Sequence, residues 1–345
     1  SERAGVINKP IASISLDADN YWSYKRTHGD PDWVSRPSYL GVLTARMIEL
    51  FDRHRIRPTV NVVGFDAAAA DGPEFVTGLA EYGCEIGNHS FEHEPWLHLY
   101  SPQRLRDELR RTHDALLAAG ATEVVGLRAP GFSMSPDLMR ALVEMGYEYD
   151  SSVLATWIGP FARAYYLRTN KNLTVEERRQ RKGLFGSIWD AGLPNKGFEW
   201  TAPAAPGGRR LSLTEVPVTV FPGLRVPVHA SYVIYLSGYS PRIAGAYVKT
   251  AIRACLLTGT QPSLLLHPLD LLDGGDAPGL GFFPGMNLDF GRKRAILDLV
   301  LHELTSHFTV VSMREHARHV RETTTITKDV GLLARGRRTD MVFPR

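Results

Sequence analysis

Asp17 and Asp19 stand two residues apart where a short apolar run, Ile11-Ala12-Ser13-Ile14-Ser15-Leu16, comes to an end. At a strand end, side chains two apart point to the same side, so both carboxylates can face one pocket, one as a base and one as a ligand. Taken alone, Asp-x-Asp also suits a solvated turn. The stretch Asn88-His89-Ser90-Phe91-Glu92-His93 places two histidines four apart, and a helix or tight turn there would bring both imidazoles to one point. With Asp19 as third ligand, His89 and His93 would form the two-imidazole, one-carboxylate set that leaves a zinc-type ion one open position. Unaccompanied, the pair reads equally well as surface or capping histidines, because His-x-x-x-His recurs by chance.

Further along, Arg128-Ala129-Pro130-Gly131-Phe132 follows another apolar run. An arginine fixed there can pair with a carboxylate and keep it ionised, and the Gly131 amide can face an oxyanion. Asp150 precedes Ser151-Ser152, and His267 closes the run Leu264-Leu265-Leu266, where an imidazole can serve as general acid. Each is an ordinary loop residue by itself.

Elements that would position these residues alternate along the chain. Ile11 to Leu16 reads as a buried strand, Tyr39 to His54 as a helix with Leu40, Leu43, Met47, Leu50 and Phe51 on one face, and Thr59 to Val63 as the next strand. The rhythm continues through a helix at Phe75 to Tyr82, a strand at Cys84 to Gly87, a helix at Ser101 to Ala119 with a serine cap, a strand at Val124 to Leu127 and a helix at Ser135 to Met145. It returns with a helix at Arg242 to Leu257, a strand at Ser263 to Leu266, a helix at Phe290 to Leu304 and a strand at Phe308 to Val311. Such alternation argues for an α/β fold of parallel strands wrapped by helices.

Residues 155–230 break the pattern and read as an insertion, and the stretch after Arg321 reads as a loosely attached tail. The organisation expected is one domain over 1–320 with a tail at 321–345. Inside the insertion, Trp157, Phe161, Tyr165, Tyr166 and Leu167 precede the charged run 176–182, and Leu184, Phe185, Ile188 and Trp189 follow it. Aromatics beside basic residues suit either packing on the barrel or a peripheral contact with a membrane surface, where they would admit a lipid-linked substrate.

In this order the residues resemble the polysaccharide deacetylase family, the carbohydrate esterase group with the NodB homology domain. The resemblance covers most of 11–155 and resumes over about 210–315. It implies a distorted barrel of about seven strands and helices, in agreement with the alternation. It further implies a catalytic base at Asp17, metal ligands at Asp19, His89 and His93, an arginine at Arg128 that holds the base, and an acid at His267. Ala18 separates the two acids, as in peptidoglycan deacetylase-like and allantoinase-like members. Asp150 matches the fourth motif without its usual tryptophan. The activity implied is metal-dependent hydrolysis, with a divalent ion such as zinc, of the amide of an N-acetylated amino sugar in a polysaccharide, glycan or lipid-linked sugar. A formamide, ureide or cyclic imide is the alternative substrate of the same superfamily, and an inactive sugar-binding protein the alternative of another class.

Composition narrows the remaining classes. The chain has 345 residues, 43% hydrophobic and 22% charged, which suits a globular fold with a real core. Its 40 basic and 37 acidic residues leave a net charge of +3, giving no pull toward nucleic acid. Two cysteines, Cys84 and Cys255, fit a reducing, cytoplasmic compartment, and neither a signal peptide nor a run of ~20 apolar residues is expected. Gly279-Leu280-Gly281-Phe282-Phe283-Pro284-Gly285 misses the dinucleotide-binding fingerprint.

Overall fold

Among the described residues, eight of ten strands run in one direction and point their carboxyl ends toward one rim. The computed structural model describes residues 9–159, 174, 188–203 and 210–334. Strand β1 (Ile11–Asp17) is followed by helices α1 (Tyr21–Thr27) and α2 (Leu40–Arg53), then β2 (Thr59–Val62), α3 (Gly64–Ala67), α4 (Gly72–Tyr82) and β3 (Glu85–Asn88). Next come α5 (Pro102–Ala118), β4 (Gly126–Leu127), α6 (Pro136–Glu144), β5 (Tyr149–Asp150), β6 (Phe198–Ala202) and β7 (Leu211–Glu215). Helices α7 (Ala230–Tyr239) and α8 (Pro241–Thr258), β8 (Ser263–Leu266), α9 (Phe290–His307), β9 (Thr309–Val311), α10 (Met313–Thr323) and β10 (Thr327–Asp329) complete the described chain.

The pairing order is β10-β6-β7-β5-β4-β3-β2-β1-β8, with β9 alongside β1. All pairs except the antiparallel β6–β7 are parallel. The fold is therefore mixed α/β with a mostly parallel sheet, and the pairing ladder does not close into a ring. The segment beyond β7 nevertheless reaches across to β8. Val218 N–H donates to Val153 O at 2.8 Å and Thr219 N–H to Ser263 O at 3.0 Å. Ser263 N–H in turn donates to Thr219 Oγ1 at 2.7 Å.

Local signals explain most helix limits. Ser101 caps α5 by accepting from Arg104 N, Ser135 caps α6 by accepting from Leu138 N, and Asp289 caps α9. The main core lies between sheet and helices and includes the α2 residues Leu43, Met47, Leu50 and Phe51, and a second, small cluster joins Tyr149, Val216, Met313 and Ala317. Cys84 and Cys255 are buried free thiols. Among the described residues no helix is long and apolar enough to cross a membrane.

Two expectations differ from the structure. Residues 198–202 and 211–215, inside the stretch read as an insertion, are strands of the main sheet, with β7 paired to β5. The described part of the segment after Arg321, up to residue 334, is packed against the sheet: β10 pairs with β6, and Val330 is only 2% exposed. In both cases the partner strand lies far away in sequence, so no local pattern announces the pairing. Of the aromatic and charged stretch in the insertion, residues 161–173 and 175–187 lie outside the described residues.

Candidate metal centre and active site

Strand register levels the functional side chains. Asp17 pairs with Asn61, Val62 with Asn88, Asn88 with Leu127, Leu127 with Asp150, and Leu16 with Leu266. Asp17, His89, Arg128, Ser151 and His267 thus all stand at or just beyond the carboxyl ends of neighbouring parallel strands, where such folds build their sites.

Asp17 is 3% exposed. Its Oδ1 accepts from Asn61 Nδ2 at 2.7 Å, and its Oδ2 lies 3.6 Å from Arg128 Nη1. Asn61 is the one amide in an apolar strand, and Gly87 makes room for it: a Cβ at position 87 would stand 2.1 Å from Asn61 Oδ1. Arg128 is fully buried, and its Nη2 donates to Ser151 Oγ at 2.5 Å. Nε and Nη1 have no hydrogen-bond partner, so Arg128 acts on Asp17 through charge.

Asp150 lies beneath Arg128 and does not reach the rim. It accepts from Ser152 N at 3.1 Å and Ser152 Oγ at 2.8 Å, and pairs with the carboxyl of Glu215. Glu215 accepts from Val153 N at 2.9 Å and Trp200 Nε1 at 2.8 Å. Burial, then the charge of Asp150, pushes Glu215 well above the usual carboxylate range, and burial raises Asp150 as well. Residue spacing gives no hint of Glu215. Glu215→Ala should destabilise the fold by on the order of 3 kcal/mol, since Trp200 Nε1, Val153 N and Asp150 all lose a partner. Denaturant unfolding measures this, and a loss under about 1 kcal/mol would mean that water replaces the carboxyl.

Asp19, His89 and His93 converge, with one ligand atom from each lying within 4.8 Å of the others. Asp19 Oδ1 is 2.9 Å from His89 Nε2 and 2.9 Å from His93 Nε2. The histidine segment is a turn and not a helix: Ser90 and His93 have φ of 59° and 52°. Buried Glu108 holds that turn by accepting from Phe91 N and Glu92 N, each at 2.8 Å. Tyr39, just ahead of α2, donates to the Asp19 carbonyl.

His89 Nδ1 faces the Arg128 carbonyl at 2.6 Å and donates its N–H there, so that in the neutral ring Nε2 presents a lone pair to the Asp19 carboxylate. Two acceptors facing one another require a proton or a cation between them. Burial alone would raise Asp19, but the charge of His93 and hydrogen bonds from both histidines hold it well below its usual range. Burial is outweighed at His89 by Asp17 and Asp19, which raise it, whereas burial prevails at His93 and lowers it. The donor set fits a divalent transition ion.

His267 directly follows β8. Its backbone N–H donates to Asp270 Oδ2 at 2.8 Å, and Nδ1 lies 3.4 Å from Ser231 Oγ. Ser231 also bonds the Asp270 carboxylate. Lys293, fully buried, donates to Leu269 O and Leu272 O at 2.6 Å each and so fixes the turn carrying Asp270. The sequence reading singled out none of Asp270, Ser231 and Lys293, although Asp270 stands only three residues after His267. Gly131 has φ 61°, and a Cβ there would stand 2.6 Å from Pro95 Cβ, so the arginine loop packs directly on the histidine loop.

Comparison with known proteins bears on the fold. The polysaccharide deacetylase family profile matches residues 37–149, which include His89, His93 and Arg128. The peptidoglycan deacetylase-like protein FGM2 of Gibberella zeae is 24% identical over 212 residues, 61% of this chain. The match spans 56% of that protein's own length. A candidate polysaccharide deacetylase from Mycobacterium smegmatis superposes with a TM-score of 0.57 at 19% identity, over 95% of this chain and 97% of that one. One from Pseudomonas aeruginosa PAO1 gives 0.53 at 16% identity, over 92% of each chain. At these identities the structures share the fold. The resemblance to polysaccharide deacetylases seen in the sequence therefore holds.

Proposed function

We propose that the chain is a metal-dependent N-deacetylase that hydrolyses the amide of an N-acetylated amino sugar within a glycan, polysaccharide or lipid-linked sugar. The observation that carries this reading is the convergence of Asp19, His89 and His93 beside an aspartate, Asp17, whose charge is balanced by buried Arg128.

Asp19, His89 and His93 would hold a divalent ion, most suitably zinc, which when bound polarises a carbonyl and acidifies water. Asp17, held by Asn61 and Arg128, takes the proton of the attacking water. His267 gives a proton to the departing amine, with Ser231 beside its ring Nδ1 and Asp270 holding its backbone N–H. The backbone amide of Gly131 is placed in the loop that would face the developing oxyanion. Asp150 supports Arg128 from below together with Glu215.

Metal analysis, followed by acetate or formate release from a panel of N-acylated sugars, ureides and cyclic imides, tests the proposal. Acetate release from amino sugars supports it. Formate release or ring opening alone would move the substrate to the other amides, and binding without release would leave a sugar-binding protein. Comparing a lipid-linked N-acetyl sugar with soluble chitin-type oligomers tests the lipid part of the proposal. Trp157, 41% exposed with its Nε1 donating to Leu224 O at 2.9 Å, is the described member of the aromatic set to replace.

A pH dependence follows from His89. Its imidazolium is favoured above the ordinary histidine range, and only the neutral ring can ligate. Metal affinity should therefore be full at alkaline pH and fall as pH drops through the His89 titration, beginning above about pH 6.5. Metal titrations between about pH 8 and 5 read this directly, and a constant affinity would contradict His89 as a ligand.

A further inference from the structure

The glycine-rich run from Gly279 to Gly285 lacks the dinucleotide fingerprint, but its conformation sets two phenylalanines at the rim of the sheet. Gly279 and Gly285 have φ of 91° and 88°, and a Cβ on Gly285 would stand 3.0 Å from Ile234 Cγ2 of α7. Between them Leu280 is buried, Phe283 is half-buried and Phe282 is 52% exposed. The segment is firmly held. Arg46 donates to Leu271 O at 2.8 Å and to the two carboxylate oxygens of Asp276 at 2.5 and 3.1 Å, and the Tyr21 hydroxyl donates to the Pro278 carbonyl. It connects β8 to α9 and so leaves the carboxyl end of a strand, as does α1 after β1.

Rings from these two connections meet. Phe283 and Tyr24 of α1 pack edge to face with centroids 5.1 Å apart, Phe282 lies 4.2 Å from the His28 ring, and the two phenylalanines lie 4.7 Å apart. At its other end Tyr24 points its hydroxyl at Asp19 Oδ2, 3.5 Å away. A wall of rings thus runs from the proposed metal ligand Asp19, through Tyr24 and Phe283, to the exposed Phe282.

Ligand chemistry follows from the wall. An anion would meet cations that already have partners, since Lys25 beside the Tyr21 ring is 2.7 Å from Asp30 and Arg46 is bound to Asp276. An aliphatic tail gains most from full removal from water, which a half-exposed ring at a rim does not provide. A pyranose has C–H groups on its faces and hydroxyls around its edge. Its faces match the negative face of an aromatic ring, while the hydroxyls stay in water.

We infer that residues 279–285 present Phe282, backed by Phe283 and His28, as a stacking platform for a second sugar ring, adjoining the amino sugar whose amide meets the Asp19 cluster. The inference rests on the glycan part of the deacetylase reading and makes an extended chain the preferred substrate. Phe282→Ala should lower the ratio of kcat/KM for an N-acetylglucosamine tetramer to that for the monosaccharide by about tenfold, through KM for the tetramer. Phe282→Tyr keeps the ring and should restore most of the ratio. Leu257→Ala, which removes a side chain 88% exposed near the amino end of β8, should leave it unaltered.

Acetate release from both sugars is the assay, with calorimetric binding of the tetramer beside it. Equal use of monosaccharide and tetramer by the unaltered protein, or an unchanged ratio in Phe282→Ala, would overturn the platform while leaving the deacetylase reading intact. No release from either sugar would overturn that reading instead. Binding would then decide the platform: tetramer affinity lost in Phe282→Ala and kept in Phe282→Tyr supports it, and affinity independent of the ring overturns it.

Discussion

Replacing Asp17 by Asn is expected to lower turnover by at least about 10²-fold while the protein keeps its metal and its fold. The substitution is nearly isosteric. Its carbonyl oxygen can still accept from Asn61 Nδ2, now at 2.7 Å from Asp17 Oδ1. What disappears is the negative charge 3.6 Å from Arg128 Nη1 and the ability to accept a proton from water. Because Asp17 is not among the three converging ligands, metal content should stay at the wild-type level. His267→Ala should behave in parallel, retaining metal and losing a similar factor, with the loss expressed as a missing acid in the pH–rate profile. Acetate release and elemental analysis on the same samples decide the matter. Near-wild-type turnover in either variant would require its role to be reassigned.

The second large effect is at His89. His89→Ala should remove metal and activity together, because the loss leaves Asp19 and His93 as a two-ligand set. It also breaks the bond from Nδ1 to the Arg128 carbonyl, 2.6 Å in the intact protein. Such an outer contact orients a ligand ring and is commonly worth 10–100-fold in metal affinity by itself, so losing ring and contact together should exceed that range. Elemental analysis after dialysis reads the first consequence and acetate release the second. Full occupancy in the variant would remove His89 from the ligand set.

Much of the framework was written locally. Strand β8 at Ser263–Leu266 coincides with its apolar run, and α2, α5 and α6 begin and end within a residue or two of the limits set by periodicity and serine caps. These features depend on residues within one or two turns of each other. The histidine segment was only half legible. The spacing suggested that both rings meet, but a turn with positive φ at Ser90 and His93 does it, held by Glu108 from α5.

By itself, the sequence determined which chemical groups were available, Asp17, Asp19, His89, His93, Arg128 and His267, and that most follow short buried strands. Tertiary structure alone decided which of them share a point. Asn61 reaches Asp17 because β1 and β2 pair with Asp17 opposite Asn61, and Glu215 reaches Asp150 because β7 pairs with β5 across the stretch that reads as an insertion. Ser231 and Lys293 come to the His267 turn on helices that no spacing rule connects to it. The physical reason is range. Periodicity and capping arise between near neighbours, whereas parallel pairing joins strands separated by whole helices, and one step of register would turn each of these side chains to the opposite face.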